Sequence, residues 1–491
     1  MNKPNSDTTQ LAPLPLRLAG LIVGLLAFIL IGQLHILGFE SDLSNQVLAI
    51  AALMIVWWIT EAVPIAVVAL LPLILFPSTG IMSLDEAARP YSNSVVFLFM
   101  GGFIIGLAME KWNLHRRIAL NIVNITGTHA NSIILGFMIA TAFLSMWLSN
   151  TATAIMMLPI ALSIIQLVSS HHSGKGNIKN FALVMTLGIA YAANIGGMGT
   201  LIGTPPNVVM SAFLKEKYSY DVDFFEWMKL AVPIVVLLLL AMYLIMTRLM
   251  YPNRMGKLSS KDIIKKELKN LGLMNTGEKI VLFIFLFTVF RWVFKDLLNG
   301  WLPMLKSDDT GIAMLSAVLL FILPVERKTM TPVLQWNDTS RLPWGILLLF
   351  GGGLSLANGL EKAGIISALG SSVASFAGNH TLLMIVGLTI LAVFVSEVMS
   401  NVALVMVLVP VTGGIADAMA IDPLLLAVPV TLGASCAFML PMGTPPNAVV
   451  FSSGYIRIAQ MAKTGFWLNI FASLFISLSA YFLLDYFFHD F

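Results

Sequence analysis

LIGTPPNVVM, residues 201–210, sets a glycine and two consecutive prolines inside a long apolar run, and GTPPN returns at 443–447 inside another. Proline lacks an amide N–H and its ring clashes with the carbonyl one turn back, so neither run can continue as regular helix. Gly203 and Gly443 supply the backbone freedom that a sharp break needs. Each break leaves one helix ending in free carbonyls and the next starting with free N–H groups. The carbonyl end suits a cation and the N–H end suits an anion.

The surroundings say what kind of chain carries these breaks. Of 491 residues, 58% are hydrophobic and 11% charged, with a mean hydropathy of +0.89. So few charges cannot cover a soluble protein of this size, and apolar runs of about 20 residues, enough to cross a bilayer, recur along the chain. The fold class expected is an all-α polytopic membrane protein. In hydrocarbon, irregular backbone survives only where it lines a protein cavity, so two breaks mark a site. The net charge of +3 does not point to nucleic acid, because the basic residues cluster between apolar segments. The single Cys436 excludes an intramolecular disulfide. No Ser/His pair, aspartate dyad or HExxH motif marks an intramembrane enzyme.

Spanning helices are expected at about 18–37, 46–62, 64–80, 93–110, 181–213, 228–250, 279–295, 311–324, 343–360, 422–452 and 466–486. The first is too long for a signal-peptide core and reads as a retained helix. Two further stretches, about 131–168 and 381–419, are read as re-entrant hairpins that enter and leave on one side. The N-terminus then lies in the cytoplasm and the C-terminus outside. All Lys and Arg fall inside except Arg89, Lys215, Lys217, Lys229, Arg291, Lys295, Lys306 and Lys362, the asymmetry expected of a spanning protein. Two full crossings in place of either hairpin would give the same asymmetry.

The chain also repeats itself. FMGGFIIGLAMEK (99–111) matches FGGGLSLANGLEK (350–362), and FLSMWLSNTATAIMMLP (143–159) matches FVSEVMSNVALVMVLVP (394–410) at the same shift. The GTPPN pair follows at a shorter shift, for which the polar loop SSHHSGKGNIKN (169–180) accounts. Each half carries GG…EK, S…SN and GTPPN in one order. The expected organisation is an N-terminal segment and first helix (1–45), repeat 1 (46–250), a basic cytoplasmic linker (251–278) and repeat 2 (279–491). Five spans and a hairpin per repeat invert the second copy. Inverted repeats with helices broken at matching positions point to a secondary transporter with its site near the membrane midplane.

The hairpin tips supply the other half of each site. Ser149-Asn150-Thr151 and Ser400-Asn401-Val402 offer neutral oxygens that suit sodium, and donors that suit a carboxylate or sulfate. None of the four motifs holds Arg, Lys or His. A divalent anion near the midplane is costly without compensation, and two sodium ions would neutralise it.

At these residues the chain resembles the divalent anion/sodium symporter family, through ITEAVPIAVVALLPL (59–73), TAFLSMWLSNTAT (141–153), NIGGMGTLIGTPPN (194–207) and AFMLPMGTPPN (437–447). The resemblance implies a homodimer in the plasma membrane, with a scaffold domain and a transport domain that moves elevator-like. It implies a first sodium site of Ser145, Ser149, Asn150 and the Gly203 carbonyl. A second would use Ser396, Asn401 and the carbonyls of Met399 and Gly443. Substrate carboxylates would meet Asn150, Thr151, Thr204 and Pro205 on one side, and Asn401, Val402, Thr444 and Pro445 on the other. Val402 departs from the family, where threonine is common. The function implied is sodium-coupled import of C4-dicarboxylates such as succinate, malate or fumarate. Sodium-independent exchange of di- or tricarboxylates, and symport of citrate or sulfate, stay open.

Other polar residues read more plainly. Glu110-Lys111 and Glu361-Lys362 recur at helix ends and suit interfacial pairing. Glu397 suits a structural hydrogen bond before a coupling or pH-sensing role. Glu61 suits a helix cap or bend, Arg291 can snorkel, and His171 and His172 are expected to face solvent.

Overall fold

In a computed structural model, residues 14–34, 41–127, 129–171, 177–256, 261–301, 306–326, 328–377 and 380–487 are described. The expectations for Lys3, Lys175, Lys257, Arg327 and His172, for the side chain of His171, and for the end of the first helix at 35–37, lie outside them. The chain opens with Leu14–Leu34 (α1) and Asp42–Thr60 (α2), then Ile65–Val68 (α3), Leu71–Ser78 (α4) and Leu84–Ala88 (α5). Ser94–Lys111 (α6) and Leu114–Ile125 (α7) lead into the first hairpin pair, Ala130–Ser145 (α8) and Asn150–His171 (α9). The first break separates Ile178–Gly197 (α10) from Pro205–Tyr218 (α11), and Phe224–Leu244 (α12) runs on through a π-helical turn, Ile245–Met250. Lys261–Asn270 (α13), Thr276–Val293 (α14), Lys295–Trp301 (α15) and Asp309–Ile322 (α16) precede a small hairpin of Pro324–Glu326 (β1) and Thr331–Pro332 (β2). Then come Trp344–Lys362 (α17), Ile365–Ala377 (α18), Thr381–Val395 (α19) and Asn401–Met419 (α20). The second break separates Leu424–Ala434 (α21) from Pro445–Phe451 (α22), and Ile458–Phe487 (α23) ends the described chain.

Eight helices among the described residues are long and apolar enough to cross a membrane, α2, α9, α10 and α20 among them. The expected spans near 64–80, 311–324 and 422–452 are built from shorter apolar helices, including Ile65–Ser78, Asp309–Ile322 and Leu424–Ala434. Leucine, isoleucine and phenylalanine stand exposed along α1, α12, α14 and α23. That outward apolar surface suits lipid rather than water.

Local sequence sets the helix ends. Asn93 opens α6 by accepting the Val95 N–H, and Asp223 opens α12 by accepting those of Phe225 and Glu226. Glu61 ends α2 in the left-handed region at φ 46, before Pro64. The polar stretches hold more structure than their composition suggested. The basic linker contains α13, which is tied to amphipathic α7 by Arg116–Glu267 at 2.6 Å, while Arg117 of α7 reaches Glu278 of α14 at 2.5 Å. Burial holds the His115 imidazole of α7 below the ordinary histidine range. One ring nitrogen lies 2.8 Å from the Met109 carbonyl.

The repeated glycine pairs lie at reciprocal helix crossings. A Cβ on Gly101 of α6 would sit 2.8 Å from the backbone of Ala313 in α16, and one on Gly352 of α17 would strike the backbone of Ala69, just after α3. Each repeat thus sets a glycine against an alanine of the other. The acidic-basic pairs that follow are paired across the same boundary. Glu110 lies 3.6 Å from Arg341 and Lys111 lies 2.7 Å from Asp338, while Glu361 meets Lys217 at 3.5 Å and Lys362 meets Glu86 at 3.3 Å.

Candidate functional site

Between Gly197 and Pro205 the first broken helix unwinds for seven residues, and its freed backbone groups find partners inside the protein. Asn207, two residues into α11, turns its amide back over the break and donates to the Thr200 carbonyl at 2.8 Å. Longer contacts of 3.4 Å reach the carbonyls of Gly197 and Met198. Trp227 of α12 donates its indole N–H to the same Met198 carbonyl at 3.0 Å. The Thr200 hydroxyl reaches the Met146 carbonyl in the turn of the first hairpin pair at 2.5 Å.

That turn meets the break directly. Ser145, fully buried at the end of α8, donates its hydroxyl to Asn150 Oδ1 at 2.6 Å. A Cβ on Gly197 would lie 2.5 Å from the same Asn150 oxygen, so α10 ends against the Asn150 side chain. Gly203 is cradled by the carbonyls of Gly197 and Met146. Of the expected first cation set, Ser145, Asn150 and Gly203 therefore converge. Ser149 is exposed and its hydroxyl accepts the Ala152 N–H at 3.2 Å.

The second break repeats the brace and changes the lock. Asn447 donates its amide to the carbonyls of Ala437 and Leu440, both at 3.0 Å, as Asn207 does in the first copy. The freed N–H groups go to a carboxylate. Glu397 accepts from Phe438 at 2.7 Å, Met439 at 2.8 Å and Leu440 at 3.0 Å, and also from the Asn469 amide of α23 at 2.7 Å. Four donors on one buried carboxylate make Glu397 the structural acceptor that its position suggested. A Cβ on Gly443 would lie 2.9 Å from Glu397 Oε2, so the carboxylate stands against the expected second cation site.

Ser396 behaves unlike Ser145. Its buried hydroxyl donates to the Val393 carbonyl at 2.8 Å instead of reaching the asparagine that follows. Asn401 Oδ1 is buried without a hydrogen-bond partner, as are Oδ1 of Asn207 and Asn447. Carbonyl-type oxygens left free of donors suit a hard cation. Among the described residues, no group of three or more His, Cys, Asp and Glu is placed to hold a metal ion.

The two breaks are linked. Thr444, the residue before α22, receives the Asn194 amide of α10 at 2.9 Å, and α22 packs against both α9 and α10. Thr204 and Thr444 are both buried, while Asn150, Thr151, Asn401, Val402 and Pro205 are part-exposed and Pro445 is exposed. The expected substrate residues thus range from buried to exposed. Sequence reading passed over Asn194, Asn207 and Asn447. The last two stood in the repeated motif, where their recurrence was the available signal, whereas Asn194 has only Ala434 at the matching place in repeat 2.

Known proteins resemble this chain in sequence and in fold. Residues 18–484 match the family model described as the sodium:sulfate symporter transmembrane region. The chain is 41% identical over 473 residues to a sodium-dependent dicarboxylate transporter of Staphylococcus saprophyticus, covering 95% of this chain and 91% of that protein. A protein of the same description from Staphylococcus aureus strain USA300 is 39% identical over 476 residues, covering 95% and 92%. Among solved structures, the Neisseria gonorrhoeae MtrF efflux pump aligns with a TM-score of 0.57 at 12% identity, over 83% of this chain and 84% of its own. The Alcanivorax borkumensis YdaH transporter aligns with a TM-score of 0.55 at 11% identity, over 88% and 98%. These two share the fold.

Proposed function

The chain belongs to the sodium:sulfate symporter family, and from that premise we propose that it is a sodium-coupled symporter importing C4-dicarboxylates such as succinate, malate and fumarate. It is a transporter and not an enzyme, with sodium as the coupling ion. The observation that carries the reading is the pair of buried breaks, each braced by its own asparagine, Asn207 or Asn447, in an apolar interior. Two sets of neutral oxygens, one per break, suit two sodium ions whose charge offsets a dicarboxylate. The names of the staphylococcal relatives support the same cation and substrate class.

In this reading, the first sodium rests on Ser145, Ser149, Asn150 and the Gly203 carbonyl. The second rests on Ser396, Asn401 and the carbonyls of Met399 and Gly443. The substrate lies between Asn150, Thr151, Thr204 and Pro205 on one side and Asn401, Val402, Thr444 and Pro445 on the other. The hairpin pairs α8–α9 and α19–α20 enter and leave on one side of the inner membrane, with the N-terminus cytoplasmic and the C-terminus outside. Repeat 1 (46–250) and repeat 2 (279–491) are inverted copies, a relation that the reciprocal crossings Gly101–Ala313 and Gly352–Ala69 support. The hairpins and broken helices move as one body against a scaffold, within a homodimer.

The test is radiolabelled succinate uptake into proteoliposomes under an inward sodium gradient, compared with potassium, in empty vesicles and in vesicles preloaded with dicarboxylate. Sodium-dependent uptake into empty vesicles is the expected result. Uptake that ignores sodium and needs internal dicarboxylate would make the protein an exchanger.

A further inference from the structure

Asn194 is the side chain in α10 that reaches across to the other repeat's break, and its bond has a direction. A threonine hydroxyl carries one hydrogen and two lone pairs, and an amide nitrogen can only donate. Because Asn194 Nδ2 donates to Thr444 Oγ1 at 2.9 Å, it occupies a lone pair and leaves the hydroxyl hydrogen free. No acceptor among the described residues takes that hydrogen. Asn194 is 1% exposed, and its Oδ1 has no hydrogen-bond partner.

We propose that Asn194 is a positioning residue for the substrate: by donating to Thr444 it holds that hydroxyl as a one-way donor toward a substrate carboxylate. A carboxylate is acceptor-only, so it takes the hydrogen that the Asn194 bond leaves over. The device exists on one side only. Thr204, the matching residue of repeat 1, receives no such donor among the described residues, and Ala434 replaces Asn194 in repeat 2. The carboxylate clamp is thus pre-oriented at the Thr444 end and free to adjust at the Thr204 end. Pre-orientation strengthens binding by removing the cost of ordering the hydroxyl when substrate arrives.

This inference rests on the dicarboxylate reading of the site given above. Its test is a double-mutant cycle in proteoliposomes with Asn194→Ala, Thr444→Val and the two together, reading the succinate KM, kcat and sodium half-saturation. Asn194→Ala is expected to raise KM about ten-fold, the scale of one directed hydrogen bond to a charged group, with kcat and sodium half-saturation near wild type. In the Thr444→Val background the same change is expected to do nothing further, because Asn194 acts through that hydroxyl. Should Asn194→Ala fail to elute as a monodisperse species, Asn194→Leu, which keeps the volume, takes its place in the cycle. An unchanged KM, or effects that multiply in the double variant, overturns the proposal. A wild-type protein that takes up no succinate defeats both readings, whereas normal wild-type uptake with multiplying effects defeats this one alone.

Discussion

The two breaks share five letters and one brace, yet they are locked by opposite chemistry. In the first, a neutral donor from α12, the Trp227 indole, closes onto the Met198 carbonyl, and Thr200 ties the break to the Met146 carbonyl. In the second, the Glu397 carboxylate closes onto three consecutive backbone N–H groups. The matching position in repeat 1 is Met146, whose side chain offers no such acceptor. A helix break frees both N–H and C=O groups, and a buried one must satisfy them somehow. Both breaks carry the same glycine, prolines and asparagine and differ in the partner that stabilises them. One consequence is an acidic side chain beside the proposed second cation site and a thioether at the matching place beside the first.

Substitutions can break or sharpen that contrast. The largest effect belongs to what the two copies share: Asn150→Ala or Asn401→Ala should abolish succinate uptake while leaving a folded protein by size-exclusion chromatography. Near-wild-type uptake by both would remove the hairpin tips from the site. Next in size is the lock itself. Glu397→Gln puts an NH2 group where a carboxylate oxygen accepts, leaving buried N–H donors unpaired at about 1–3 kcal/mol each. The matched Met146→Leu keeps volume and should cost under about 1.5 kcal/mol. Thermal unfolding in detergent compares them, and equal losses would mean that the carboxylate is not what stabilises the second break.

The glycines separate the copies further. A Cβ on Gly203 meets backbone carbonyls, which cannot step aside, whereas one on Gly443 meets the end of the Glu397 side chain at 2.9 Å. Gly203→Ala should therefore lose more folded protein than Gly443→Ala, and the reverse order would place the more rigid wall in repeat 2. The smallest effect is expected at Val402, the one tip position where repeat 2 lacks the Thr151 hydroxyl. Val402→Thr should shift competition among succinate, malate and citrate by a few-fold, and an unchanged profile would mean that residue 402 does not touch substrate.

Much of this was legible before any coordinates. Proline pairs cannot continue a helix from the turn before them, so both breaks announce themselves, and apolar run lengths place the long helices. The amphipathic helices α7 and α13 were missed because they mix charged and apolar residues at surfaces, and α18 because it mixes serines with apolar residues. KDIIKKELKN, at 261–270, reads as a basic loop until its partners Arg116 and Ile264's buried surroundings are seen. Within the site, Ser145 and Ser396 look equivalent in sequence, yet one reaches its asparagine and the other its own helix backbone. Periodicity cannot distinguish them, since both outcomes satisfy a buried hydroxyl. Asn194 opens the stretch NIGGMGTLIGTPPN but has no counterpart in the second half, and only its bond to Thr444 gives it a role.

The central claim is that each break holds its own sodium ion. The most direct measurement is a sodium titration of succinate uptake in proteoliposomes, for the wild type, Ser145→Ala and Ser396→Ala. The account predicts a sigmoidal wild-type curve requiring at least two ions, with the half-saturating sodium concentration raised in both variants. A hyperbolic wild-type curve, or a curve that neither serine moves, would contradict it.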